Sequence, residues 1–429
     1  MNRRRTRPNW FRIIILCLLV LGGAYVNRFI LPNQPQFGVP SPTPTRAPES
    51  FITEAEEYFR KGKLVAAIAA YQQAISSDPE NPAVYVALAR VQVWAGQYKD
   101  AQRSAEDALL LNPDNSMAHA VRAWALDFQF DYSGAEESIT RALELDNQNA
   151  LAYAYHVEIL VDSYYNGTGA VDAIEKAAEA SKIALTIAPD LLEAHRARAY
   201  IHEAVGEYED AIREYEAALA INGNIALLHL SLGINYRKLE FYDKAIEEFT
   251  NANTLNPDDP NPDLYLSRTY ATIGKYAQAM QYAETAVQNS PAEADLRGNL
   301  GVMYYYNAFY DKAIDELGYA VNGGFTKDGN QVEAINLTPN IARSTEYYYT
   351  YGRALSRTNK CSEALKISQL IFERVPTDEL AVENANAIIS QCQQNLEQTP
   401  TPLLTSLEPA TASPTETVSA ETPTPTPTP

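Results

Sequence analysis

Residues that commonly carry chemistry are scarce in this chain. Three cysteines and five scattered histidines among 429 residues form no cluster with metal-ligand spacing, because a zinc site needs more convergent ligands than any neighbourhood here offers. Gly-rich phosphate loops, nucleophile elbows and His-x-x-x-His pairs are absent, and no stretch reads as a separate α/β domain. Aspartate and glutamate are abundant, but they read as solvated helix faces. No catalytic residue, cofactor or metal site is therefore assigned, and the chain is predicted not to be an enzyme. Basic charge is short too. With 34 Lys plus Arg against 54 Asp plus Glu, the net charge is -20, which repels phosphate backbones and anionic headgroups and argues against nucleic acid as a partner.

What the sequence does have is a period. From about Ser50 to Glu397 a pattern returns every 34 residues. Its clearest copy runs from Leu230 to Asp259, with Leu232, Gly233 and Tyr236 on one face of a first helix and Ala245, Phe249 and Ala252 on one face of a second. Both sets keep the helical period of 3.6. Small residues let the two helices approach closely, Tyr and Phe fill the groove beside them, and Pro257 ends the unit because it cannot continue a helical ladder. In this frame, units begin near Pro48, Pro82, Ser116, Ala150, Leu192, Ala226, Pro260, Ala294 and Thr345.

Period and motif together resemble the tetratricopeptide repeat family. The resemblance covers residues 50–397 and implies an all-α fold: a right-handed α-solenoid of about nine helix hairpins, closed after Pro376 by a capping helix with a polar back. Two stretches break the period, one near 162–171 and one at 328–344. The second is expected to be a loop carrying at most a short helix. Such insertions read first as tolerated surface loops, because closure entropy grows slowly with length, and second as binding elements.

In this family the groove is lined by the first helices of successive units. Mapping those positions gives Arg90, Trp94, Trp124, Phe128, Arg196, Tyr200, Arg237, Arg268, Tyr305, Tyr306, Tyr349 and Arg353. Arginine forks and aromatic faces suit an extended peptide, its carboxylates or a sugar chain. Packing between helices is the competing use for every one of these aromatics. The subfamily that grips a terminal carboxylate does so with Lys and Asn at fixed inward positions. Here those places hold Arg90 with Val86, or Arg196 with Tyr200, so that role does not carry over. The function implied is a non-catalytic scaffold that binds a protein or peptide, with an envelope glycan or a structural surface role as the alternative.

The ends read differently from the middle. A basic segment at 1–12 precedes an apolar run from Ile13 to Val26, and the pair predicts a transmembrane signal anchor over 13–31, with a cleaved signal peptide ending near Ala24 as the other reading. The anchor implies a cell-membrane protein of single-pass topology, its N-terminus cytoplasmic and its repeats outside. Residues 32–49 read as a proline-rich linker, and residues 398–429 as a disordered Thr/Pro tail resembling tails of surface proteins in filamentous green non-sulfur bacteria (Chloroflexi). Cys17 falls in the apolar run. Cys361 and Cys392 stand on helices expected to be neighbours in the stack, so a disulfide between them is predicted, with two buried thiols as the alternative.

Overall fold

The computed structural model describes residues 10–25, 28, 46–339 and 341–398. Helix α1 (Trp10–Tyr25) comes first. Nine helix pairs follow: α2 (Pro48–Arg60) with α3 (Leu64–Ser77), α4 (Pro82–Trp94) with α5 (Tyr98–Leu111), α6 (Ser116–Asp127) with α7 (Tyr132–Leu145), α8 (Ala150–Tyr165) with α9 (Ala173–Ile187), α10 (Leu192–Val205) with α11 (Tyr208–Ile221), α12 (Ala226–Lys238) with α13 (Tyr242–Leu255), α14 (Pro260–Thr272) with α15 (Tyr276–Asn289), α16 (Ala294–Tyr306) with α17 (Tyr310–Asn322), and α18 (Ala342–Arg357) with α19 (Cys361–Arg374). A final helix, α20 (Glu379–Gln398), packs on α18 and α19. Each pair forms a hairpin whose second helix rests against the first helix of the next, so the chain is the all-α solenoid that the repeat frame predicts.

Local chemistry explains the starts and stops. Proline occupies the first turn of α2, α4 and α14, where its missing N–H costs nothing. Side chains of Asn81, Asn115 and Asn149 cap α4, α6 and α8 by accepting from backbone N–H groups of the first turn. The second helices of the nine hairpins each bury one alanine completely at the same register position: Ala67, Ala101, Ala135, Ala177, Ala211, Ala245, Ala279, Ala313 and Ala364. Anything larger there would push the hairpin open. Gly233 shows the same constraint from the first helix, since a Cβ built on it would lie 2.6 Å from the ring of the fully buried Phe249.

Eight hairpins begin at the residue the frame predicts, while the ninth begins at Ala342, ahead of Thr345. The break near 162–171 lies in the end of α8 and the turn before α9. In place of the short helix allowed for at 328–344, a two-stranded antiparallel ribbon precedes α18, formed by β1 (Gly324–Phe325) and β2 (Gln331–Val332). Residues beyond it fold back on the stack, Ile335 donating its N–H to the Ala320 carbonyl.

The membrane expectation is overturned. The described part of α1, Trp10–Tyr25, has 16 residues. Among the described residues no helix is long and apolar enough to cross a membrane. The transmembrane anchor over 13–31, the single-pass topology with external repeats, and the membrane as a partner are corrected accordingly. Residues 1–9 of the basic segment, 32–45 of the proline-rich linker and 399–429 of the Thr/Pro tail lie outside the described residues.

Candidate functional site

The inner face, where first helices of successive hairpins meet, divides into two parts. In the first part, α6 packs against α8 and α8 against α10, and the curvature is tight enough to bring distant units together. The Asn224 Nδ2 donates to the Arg60 carbonyl at 2.9 Å across 164 residues of sequence. Gly62 has positive φ and faces the Asn224 backbone so closely that a Cβ would lie 2.4 Å from its oxygen.

The space inside this turn is filled by the protein's own side chains. Trp124, with no exposed surface, stacks on Tyr155 at 4.2 Å, meets Trp94 edge-on at 5.1 Å and donates its Nε1–H to Glu158 at 2.8 Å. Arg196 donates to the other Glu158 oxygen while its guanidinium lies 5.4 Å from the Trp94 ring, 5.5 Å from Trp124 and 5.8 Å from Phe128. Arg90 reaches from α4 to the buried Glu193 of α10, its Nε donating at 2.7 Å. Tyr200 donates its hydroxyl to Asp162. Six of the twelve groove positions read from sequence therefore belong to a packed interior: Trp94, Trp124 and Arg196 are buried, and Arg90, Phe128 and Tyr200 are partly so.

Acids outnumber bases in that interior. Asp127 is buried, and neither of its oxygens receives a hydrogen bond. Burial first, then the neighbouring Asp162 and Glu158 carboxylates, push its proton affinity well above the usual carboxylate range. Asp162 is raised as well, chiefly by burial. A carboxyl whose folded pKa exceeds its unfolded value stabilises the fold fully below about pH 4, and that contribution is lost as pH rises through the folded value. Asp127→Asn is therefore expected to raise the urea midpoint at pH 8, by about 1–3 kcal/mol in stability, and to leave it unchanged near pH 4. A variant destabilised at pH 8 would reverse the assignment.

The second part of the inner face, from α12 to α18, is open. Arg237 of α12, Arg268 of α14, Asn299 and Tyr306 of α16, and Arg343 with Glu346 of α18 surround a cavity of about 180 Å³, with Tyr276 and Met303 also lining it. Arg268 donates to Asp295 at 2.7 Å and to the Tyr347 hydroxyl at 3.2 Å, and Arg343 donates to Glu346 at 2.6 Å. Arg237 makes no ion pair among the described residues, and its Nε is buried without a partner. Burial, then the positive charges of Arg343 and Arg268, lower its pKa. Tyr276 and Tyr306 stack at 4.8 Å on the rim, and Tyr306 is half exposed.

The remaining expected groove residues take different places. Tyr305 and Tyr349 are half-buried on the same strip, and burial holds the Tyr349 hydroxyl above its ordinary pKa. Arg353 turns to the cap, donating to Asn384 at 2.8 Å beneath the Tyr305 ring. Cys361 and Cys392 are joined by a disulfide with Cα atoms 5.5 Å apart. Among the described residues His202, Glu207 and Asp210 form the one trio close enough to share a cation. His202 and Glu207 are already paired at 2.7 Å and Arg213 pairs with Asp210, so the trio is satisfied without one.

Several residues of the inner face escaped the sequence reading. Glu158 and Asp162 stand one 34-residue period after Trp124 and Phe128 (158 − 124 and 162 − 128), so the frame itself marks them. Arg343 lies inside the insertion, where the frame gives no signal, whereas Tyr276 opens α15 at the Gly-x-Tyr position of the repeat. The fold defines a class, an all-α solenoid of stacked helix hairpins of the tetratricopeptide kind.

Three stretches match models described as tetratricopeptide repeat, residues 58–125, 192–225 and 230–294. Among curated proteins the chain is 30% identical over 114 residues to the BBSome complex member BBS4 of Bos taurus, covering 27% of this chain and 22% of that protein. It is 26% identical over 110 residues to anaphase-promoting complex subunit 6 of Arabidopsis thaliana, covering 26% and 20%. The chain thus spans about a fifth of the length of these relatives. Among solved structures, the human IFIT1 dimer with PPP-AAAA superposes with a TM-score of 0.51 at 16% identity, over 82% of this chain and 83% of that one, a likeness of fold alone. Every family match lies in the repeats and none supports export, so the tail's resemblance to bacterial surface proteins is set aside with the anchor.

Proposed function

We propose that the chain is a non-catalytic scaffold that recruits a protein or peptide partner on the inner face of its sixth to ninth hairpins. One observation carries this reading: the inner face is packed shut by Trp94, Trp124, Tyr155 and Arg196 in the first hairpins, and presents an open arginine and tyrosine strip from α12 to α18. Pre-positioned aromatics offer contact area at small entropy cost, and arginine offers directed donors. The curated relatives are by name members of multiprotein complexes, which agrees with a recruiting role. Binding spread over several hairpins needs no chemical step, only a preformed surface.

The test compares affinity capture by the full chain, by a Tyr276→Ala/Tyr306→Ala variant and by Arg141→Gln, a surface change among exposed partners Asp114 and Glu144. Proteins captured by the parent and by Arg141→Gln are expected to be lost by the tyrosine variant. Identical sets from all three would remove the strip from the binding surface.

A further inference from the structure

We infer that the cavity between Arg237, Arg268, Asn299 and Arg343 binds a side-chain carboxylate within an acidic segment of the partner. The inference rests on the scaffold reading above and adds the chemistry of what the scaffold holds. Four successive first helices, α12, α14, α16 and α18, each contribute one of these side chains, so the site exists only once those four hairpins are stacked.

The donor set defines the ligand. Arg237 Nε and Arg268 Nε are both buried and unpartnered, whereas the outer nitrogens of Arg268 and Arg343 already meet Asp295 and Glu346. Counting charges, three arginines against these two carboxylates leave one positive charge, on a chain whose net charge is -20. One carboxylate would neutralise it. A phosphate dianion would leave excess negative charge facing Asp295 and Glu346, with no cation left to neutralise its second charge.

Asn299 supplies the complementary requirement. It is 1% exposed, and its Nδ2 is occupied by Ser267 at 2.8 Å, but its Oδ1 has no hydrogen bond. A buried polar atom left in that state costs stability until a donor arrives. A free carboxylate such as acetate brings acceptors only. A peptide brings a carboxylate and a backbone N–H together, and so can satisfy both the arginine nitrogens and Asn299. The cavity, about 180 Å³, admits one side chain and no folded surface. Beside it the stacked pair Tyr276 and Tyr306, with Met303, gives an apolar seat for a flanking residue.

The probe is a hexaglutamate peptide blocked at both ends, so that its only carboxylates are on side chains, titrated against the full chain by fluorescence anisotropy beside a blocked hexaglutamine peptide. Hexaglutamate is expected to bind at least about tenfold more tightly than hexaglutamine, and Arg237→Gln to weaken it by at least about tenfold. Arg237→Gln breaks no ion pair among the described residues, and far-UV circular dichroism is the check that its fold is kept. Arg237→Lys, which keeps the charge without the fork, should fall between parent and Arg237→Gln. Equal weakening by Arg141→Gln would mean diffuse attraction and overturn the site. Displacement by inorganic phosphate more readily than by acetate would overturn the carboxylate assignment. Absence of hexaglutamate binding, while capture still depends on Tyr276 and Tyr306, would overturn this inference and leave the scaffold reading standing.

Discussion

Arg196→Met is expected to lower the stability of the first five hairpins by about 3–5 kcal/mol. The Glu158 side chain is 2% exposed and has Arg196 as its cationic partner, the Trp124 N–H being its other donor. Removing the guanidinium while nearly preserving volume leaves a carboxylate buried without compensation, which is far more costly than the pair was ever favourable. The same change strips a cation from three aromatic rings. Because hairpins communicate through nearest neighbours, loss of hydrogen-exchange protection should concentrate on α4, α6, α8 and α10 and spare α16 to α18. Urea titration followed by circular dichroism gives the magnitude. The double variant Arg196→Met/Glu158→Gln should recover most of the loss, since both charges leave together. A single variant within about 1 kcal/mol of the parent would show that the buried pair contributes little.

Breaking the Cys361–Cys392 disulfide is the second large effect. The two residues are 31 apart in sequence, and closing a loop of that size is worth about 3–4 kcal/mol in the chain-entropy model. The constraint acts on the last hairpin and its cap, where Cys392 packs beside Ile367, Ile371, Ala385 and Ile388 in one cluster. Cys392→Ser should therefore lower the melting temperature and expose α20 to exchange before any other helix. Reductant should reproduce the shift in the parent and add nothing in the variant. An unchanged parent melt with both thiols shown free by mass spectrometry would contradict it.

The fold was legible because each unit repeats its own instructions. Alanine, aromatic and proline recur at positions where only a hairpin of closely packed helices places them on one buried face, and eight of nine hairpins begin where that frame puts them. The ribbon before α18 was not legible, because Asp328 to Ser344 follow no period. The apolar run was misread for a related reason: Ile13 to Val26 has the composition of a span, but among the described residues no helix is long and apolar enough to cross a membrane.

The site was legible by residue and illegible by role. Sequence placed Trp124 and Arg196 on first helices facing inward, and there they stand. It could not show how sharply the stack curves, and curvature decides whether an inward residue faces a ligand or another tryptophan. Arg268 holds the register position of Trp124 farther along, where the same geometry leaves space between helices.

The contact between Asn224 and the Arg60 carbonyl makes this ladder count its own rungs. In an open stack, a duplicated or deleted unit merely lengthens or shortens the molecule. Here the opening hairpin touches the connection that precedes the sixth, so inserting one consensus unit between them would shift Gly62 and Asn224 past each other and pull Arg90 away from Glu193. Drift in repeat number is thus blocked before residue 224 by this closure, a constraint that no single unit encodes.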